Sequence, residues 1–457
     1  MRSPRVAHHW PALGFAVTSA AGIGLSVATA RRGAILDARW TILAGLAVWS
    51  AAWALGVVCA LRLPRHVALV AVFAVATALR LAAISGPPTL SDDMYRYAWD
   101  GRVQASGTDP YRYAPDAPEL AGLREPWLWP DDAGCAALDR PPGCTRINRP
   151  SARTIYPPLA QAWFTGVYRV AGLSTQHKAW QVVGLLTDLA LVALLPVALR
   201  AWKRDPRWTA LYALAPFAVV EAVNNAHVDG LAALIVVLAL IAAGRRRVVL
   251  AAGLLGGAAL VKLYPAILVL SLAGAEGRRR AAVLPLVGTA VAVAAAGYLP
   301  HVAFVGPKVL GYLPGYLREE RYTGGGRYLL AGLLGLPGSV TAALAVLGVG
   351  AVVAWVVWRR PDPPRGAAAI FGAVLLATTP VQPWYAVTLL ALAAAAALPA
   401  WAVVAAAGYP YFFAVILDAA HPVGIGRVCY GVALASVLGG AWWRRRSDVR
   451  APSVANI

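Results

Sequence analysis

Residues 179–200 read AWQVVGLLTDLALVALLPVALR, a run of 22 that is apolar almost throughout. That is close to the ~20 residues an α-helix needs to cross the hydrocarbon core of a bilayer. Comparable runs recur from Gly14 to Trp443, in a chain of 457 residues that is 59% apolar and only 14% charged. A soluble domain of this length would carry about a quarter charged residues. Lipid offers no partners to backbone N–H and C=O groups, so such runs must be helices that satisfy these groups internally. The fold class is therefore all-α: a polytopic transmembrane helical protein, read as one membrane domain over residues 1–457.

The net charge of +20 invites a nucleic-acid reading, but the placement of the charges opposes it. Basic residues cluster beside hydrophobic ends: Lys203-Arg204, Arg245-Arg246-Arg247, Arg278-Arg279-Arg280, Arg359-Arg360 and Arg444-Arg445-Arg446. This is the positive-inside pattern, which orients helices and meets anionic headgroups, so membrane lipids and not nucleic acid are the expected partners. The first apolar run follows Met1 to Pro11 without an A-x-A-like site, and no cleavable signal peptide is expected. The Ala, Arg, Gly and Pro bias fits a GC-rich bacterial genome, and hence a bacterial plasma membrane.

With those clusters taken as cytoplasmic, segments near 12–30, 41–61 and 66–85 cross first and leave residue 86 outside. Arg31, Arg32 and Arg39 then fall outside, against the bias. Residues 86–156 form a long polar extracytoplasmic loop expected to hold short interfacial helices. Pro157 to Ala171 should dip in without crossing. Segments near 208–223 and 229–243 form a hairpin with an outer turn from Glu221 to Asp229. Residues 248–275, with Pro265 at their centre, read as two short helices meeting part-way across. A span over 281–299, a second outer loop over 300–327, and spans near 338–358, 366–380, 385–400, 401–417 and 427–443 bring the total to roughly eleven to thirteen crossings. Cys59 and Cys429 lie in apolar runs. Cys135 and Cys144 flank a turn in the first loop, where a disulfide and two unrelated thiols are both open readings.

On this topology the outer face collects most of the polar residues, which places the chemistry there. The densest segment is Ser91-Asp92-Asp93-Met94-Tyr95-Arg96-Tyr97-Ala98-Trp99-Asp100-Gly101-Arg102. Adjacent carboxylates at a helix start could serve as general base, as metal ligands, or as a helix cap.

This segment resembles the first outer loop of the GT-C superfamily of polyprenyl-phosphate-sugar glycosyltransferases. The likeness is greatest to bacterial family 87 and to polyprenol-phosphomannose-dependent α-mannosyltransferases, and weaker to the mannosyltransferase of GPI-anchor assembly. It rests on Asp93-Met94-Tyr95-Arg96-Tyr97, Trp99-Asp100-Gly101-Arg102, Gly107-Thr108-Asp109-Pro110-Tyr111 and Tyr156-Pro157-Pro158. It continues through Asn224-Asn225-Ala226-His227-Val228-Asp229, Lys262-Leu263-Tyr264-Pro265 and Pro383-Trp384-Tyr385, in order over most of residues 80–390. Asn225 stands where these enzymes usually have Gly, and adjacent Asp92 and Asp93 replace the D-x-D of some relatives. Neighbouring side chains on a helix diverge, which puts metal dependence in doubt.

The resemblance implies a membrane enzyme that moves a sugar, mannose by likeness, from a polyprenyl-phosphate carrier to a hydroxyl of a glycolipid or glycan. It implies transfer on the extracytoplasmic face, with inversion and with Asp93 as base ahead of Asp92. Lys262, with Tyr264 and Arg321 (and Lys308 assisting), is expected at the donor phosphate; Lys262 has no evident partner in the sequence. Asp100, Arg102, Tyr111, Tyr156, Asn225, His227, Asp229, Trp384 and Tyr385 are expected around sugar and acceptor. No cofactor is expected, a divalent metal being the less favoured alternative. The rivals are a transporter or flippase, or a non-catalytic binder, of a lipid-linked sugar.

Overall fold

A computed structural model describes residues 9–33, 35–171, 175–275 and 283–450, and the regular elements among them are all helical. The Arg278-Arg279-Arg280 cluster and the start of the 281–299 span lie outside the described residues. Among the described residues, eight helical segments are long and apolar enough to cross a membrane: His9–Arg31, Ile35–Ala60, Arg65–Ala83, Gln176–Ala201, Val283–Glu319, Gly338–Arg359, Pro399–Ile416 and Pro422–Arg446. The pair Pro216–Asn224 and Asp229–Gly244, bent by 116°, makes a ninth if counted as one span. Val248–Ala259, Tyr264–Gly274 and Pro383–Ala396 are apolar but shorter. The expected eleven to thirteen crossings thus include apolar runs that are not full-length spans.

We label α1 (His9–Arg31), α2 (Ile35–Ala60), α3 (Arg65–Ala83), α4 (Asp93–Ala105), α5 (Asp132–Ala137), α6 (Pro158–Ala171), α7 (Gln176–Ala201), α8 (Asp229–Gly244) and α9 (Val248–Ala259). As expected, residues 248–275 are two short pieces: α9 ends at Ala259, and a tighter 3-10 helix runs from Tyr264 to Gly274. Pro265 removes the donor an uninterrupted helix would need there. The segment expected to be an outer loop from Pro300 instead remains helical to Val305, with Pro300 inside the helix. Large apolar side chains such as Val170, Leu284, Phe304 and Trp358 stay exposed on the outer surface of the bundle, as a lipid-facing wall requires.

Three features of the core set up the site. First, α3 and α7 are joined by an ion pair that hydropathy does not reveal. Arg80 Nε lies 2.5 Å from Asp188 Oδ2, and both side chains are fully buried. Arg80 also donates to the carbonyls of Ala76 and Ala213, and Tyr212 donates to Asp188. Inside a bilayer these charges can persist only because each is paired and hydrogen-bonded.

Second, the expected hairpin turn from Glu221 to Asp229 is not an exposed outer turn. Residues 219–224 form a π-helix, and Glu221, Asn224, Asn225, His227 and Asp229 are all buried at the bend. Single π turns open the helical hydrogen-bond ladder and are frequent at functional sites. Here the break lets side chains take over backbone bonding. Asn224 donates to the carbonyls of Ala83 and Pro87. Asn225 Oδ1 accepts from Thr89 N and Leu90 N at 3.1 and 3.0 Å. The buried bend therefore holds the chain that leads into α4.

Third, α4 lies against α6, and Gly101 sits tight against the α6 backbone. A Cβ there would come within 2.5 Å of the Phe164 carbonyl oxygen. Gly101→Ala should therefore cost about 1–3 kcal/mol through forced separation of the two helices, read as a lower melting temperature of the purified protein.

Candidate active site

The first turn of α4 is capped by Ser91, whose hydroxyl accepts from Asp93 N at 3.2 Å. Asp92 occupies the cap position but its carboxylate makes no capping bond. Both carboxylates are thus released from the structural role that adjacent acids at a helix start could have played. They diverge. Asp92 Oδ2 faces Arg140 Nη2 at 3.4 Å. Asp93 turns the other way: Oδ1 accepts from Asn148 Nδ2 at 2.7 Å and Oδ2 from the Tyr156 hydroxyl at 3.1 Å. His227 Nδ1 stands 3.6 Å from the same Oδ2. Desolvation raises the Asp92 carboxyl above its ordinary range, and Arg140 is the largest influence opposing it. Burial likewise holds the Tyr156 hydroxyl far above its usual range, so it stays a proton donor to Asp93.

Asp92 and Asp93 line a cavity of about 840 Å³. Tyr156, Lys262, Tyr264, Trp384 and Tyr385 line it too, so residues spread over nearly 300 positions meet at one place. Apolar side chains line it as well, among them Ile35, Leu36, Phe371, Val374, Leu375 and Ile416. Lys262 Nζ stands over the rings of Tyr156 and Tyr385, 5.3 Å from each centroid. Cations are attracted to such ring faces. The Tyr156 side chain therefore touches both key groups, its hydroxyl on Asp93 and its ring face under the ammonium.

Lys262 also has a partner that the sequence did not suggest: Asp229 Oδ2 at 3.1 Å, fully buried. Tyr264 donates to Asp229 Oδ1 at 3.2 Å. Asp229 therefore serves the ammonium and does not face the cavity. His227 lies behind the wall, its ring stacked on Trp384 at 4.2 Å between centroids, with Nε2 3.4 Å from Glu221 Oε2. Glu221 accepts in turn from the Tyr409 hydroxyl at 2.6 Å and from Asn225 at 3.0 Å.

Several other expected site residues are not brought into the cavity. Asp100 is buried, paired with Arg96 at 2.8 Å and receiving Gln161 Nε2 at 2.9 Å. Arg102 donates to Glu125 and Tyr168. Tyr111 is buried and donates to the Tyr156 carbonyl at 2.7 Å. Asn225 holds the segment before Asp92 through Thr89 N and Leu90 N. Arg321 and Lys308 are exposed and outside the cavity lining. The reason is shared by Asp100, Arg102 and Tyr111: each has a buried partner contributed by a distant segment. Conversely, Asn148, Arg140 and Tyr316, whose hydroxyl lies 2.7 Å from that of Tyr385, line the cavity without any motif that marks them. Among the described residues no group of three His, Cys, Asp or Glu side chains is arranged to hold a metal ion.

The family model of Glycosyltransferase family 87 matches residues 155–380. The match covers just under half of the chain and makes that stretch similar to the family. No curated protein matches the chain. The matched stretch contains Tyr156, the 224–229 bend, Lys262 and Tyr264, but it stops short of Asp93 on one side and Trp384 on the other. The fold packs those two onto the residues of the matched stretch. The cavity offers two adjacent acids, Asp92 and Asp93, a third in Glu320, the ammonium of Lys262 and several apolar side chains.

Proposed function

We propose that this glycosyltransferase takes its sugar, mannose, from a polyprenyl phosphate and transfers it with inversion to a hydroxyl of a glycolipid or glycan. The observation that carries the reading is the placement of Asp93 and Lys262 on one tyrosine, Tyr156, in a cavity lined in part by apolar side chains. The apolar lining suits an isoprenoid chain, and the ammonium suits its phosphate. Asp93 removes the acceptor hydroxyl proton as the oxygen attacks the anomeric carbon. The bond from that carbon to the phosphate oxygen breaks, its electron pair stays on the oxygen, and polyprenyl phosphate leaves beside Lys262. Positioning and one general base are what such a donor requires, because it brings its own leaving group.

The face of the membrane is part of the proposal. Cys135 and Cys144, in the segment that carries Arg140, are joined by a disulfide, which suits an oxidising compartment and supports an extracytoplasmic site in a bacterial plasma membrane. The test is purified protein in nanodiscs supplied with polyprenyl-phosphate mannose or arabinose and a membrane-lipid extract. Mannosylated product with release of polyprenyl phosphate is expected. Movement of intact donor between leaflets, with no new glycosidic bond, would favour a flippase instead. Asn148→Ala should lower kcat about tenfold with little change in donor KM, since it removes a charge-assisted bond that aims Asp93.

A further inference from the structure

The disulfide that closes residues 135–144 encloses Arg140, and the backbone around it is tied at both ends. Arg140 N donates to the Cys135 carbonyl at 3.0 Å, and Arg140 Nη1 donates to the Thr145 carbonyl at 2.6 Å. The far end is sewn to the preceding segment: Thr145 Oγ1 and Arg146 N both donate to the Leu128 carbonyl, at 2.8 and 2.9 Å. From this frame Arg140 reaches Asp92. Other arginines on the cavity wall are engaged elsewhere: Arg96 with Asp100, Arg149 with Glu319, and Arg153 with the Arg112 carbonyl. Glu320, a third acid on the wall, is paired with Arg327. Arg140 is thus the cation in contact with Asp92, the neighbour of the base, with Arg146 acting on the same carboxylate more weakly.

We propose that the disulfide-closed loop is a charge-balancing arm of the site: Cys135–Cys144 holds Arg140 against Asp92, so that an anionic donor meets one free carboxylate, Asp93, and not two. Arg140 is a positioning residue, and it rests on the reading of the donor as a phosphodiester. With Arg140 gone, two adjacent carboxylates would repel such a donor at the cavity, and because Arg140 and Asp92 are 39% and 49% exposed that repulsion is open to screening by salt.

The test is steady-state transfer from polyprenyl-phosphate mannose by the full chain in nanodiscs. Arg140→Gln should raise donor KM about tenfold, and added salt should lower that raised KM by screening the repulsion. Arg140→Lys should keep most of the wild-type affinity. Adding Asp92→Asn to Arg140→Gln should bring donor KM back to about that of Asp92→Asn alone, a coupling that loss of packing would not produce. The Cys135→Ser/Cys144→Ser variant should reproduce the KM rise and add nothing to Arg140→Gln; if it fails to fold, the Arg140 and Asp92 arms decide. A wild-type donor KM in Arg140→Gln, a KM rise indifferent to salt, or independent effects of Asp92→Asn and Arg140→Gln would each overturn the proposal while leaving Asp93 as base. Absence of any transfer by wild type would instead remove the donor reading beneath it.

Discussion

Asp93→Asn is expected to lower kcat by roughly 10²- to 10⁴-fold, the usual contribution of a general base, while donor KM stays near the wild-type value. The amide keeps the shape of the carboxylate: its oxygen can still accept from Asn148, and its NH2 can donate to the Tyr156 hydroxyl oxygen in place of the bond Asp93 accepts there, so the fold and the cavity should persist. What it loses is the ability to take the acceptor proton. A change confined to kcat marks an interaction made only in the transition state. Single-turnover transfer in nanodiscs, with donor binding measured separately, checks both halves. Asn at 93 with undiminished turnover would remove the proposed base.

Lys262→Met should have two separable effects. Removing the ammonium strands Asp229, fully buried and 3.1 Å away, and breaking such a buried pair from one side costs about 3–5 kcal/mol. It also removes the cation proposed for the donor phosphate. The double variant Lys262→Met/Asp229→Asn should recover most of the lost stability, because no uncompensated charge is left in the apolar interior. It should not recover donor affinity. Thermal unfolding and donor KM, measured on the single and double variants, separate the roles. Recovery of affinity together with stability would show that Lys262 serves the fold and not the donor.

The bundle itself was legible in the sequence because the bilayer allows an apolar run little choice. A run such as 179–200 must close its own hydrogen bonds, and α7 does so over Gln176–Ala201. The interrupted segment around Pro265 was legible for an equally local reason, as a proline cannot donate to a helix that runs through it. The start of α4 was legible as well, since Ser91 and the two acids form a recognisable first turn. The family likeness carried Tyr156, Lys262, Tyr264, Trp384 and Tyr385 as a set, and the fold assembles them on one cavity.

Local reasoning could not decide between two adjacent acids. Asp92 occupies the cap position of α4 and Asp93 begins it. Their carboxylates diverge, so their roles depend on what stands in each direction, and those neighbours come from 48 and 55 positions away: Arg140 for Asp92, Asn148 for Asp93. Asp229 as the partner of Lys262, and Arg80 as that of Asp188, were hidden for the same reason. A hydropathy window sees one charge in an apolar run, whereas the cost of burying it is offset by a charge on another helix. Asp100, Arg102 and Tyr111 belong to motifs that point to the site, yet each is turned inward by a buried partner. By itself the sequence determined that the chain crosses a membrane as helices and which motifs it carries, because those follow from backbone hydrogen bonding and local residue type. Only the tertiary structure decided which polar side chains face the cavity and which hold it together, because desolvated charges are assigned by the partners that packing brings to them.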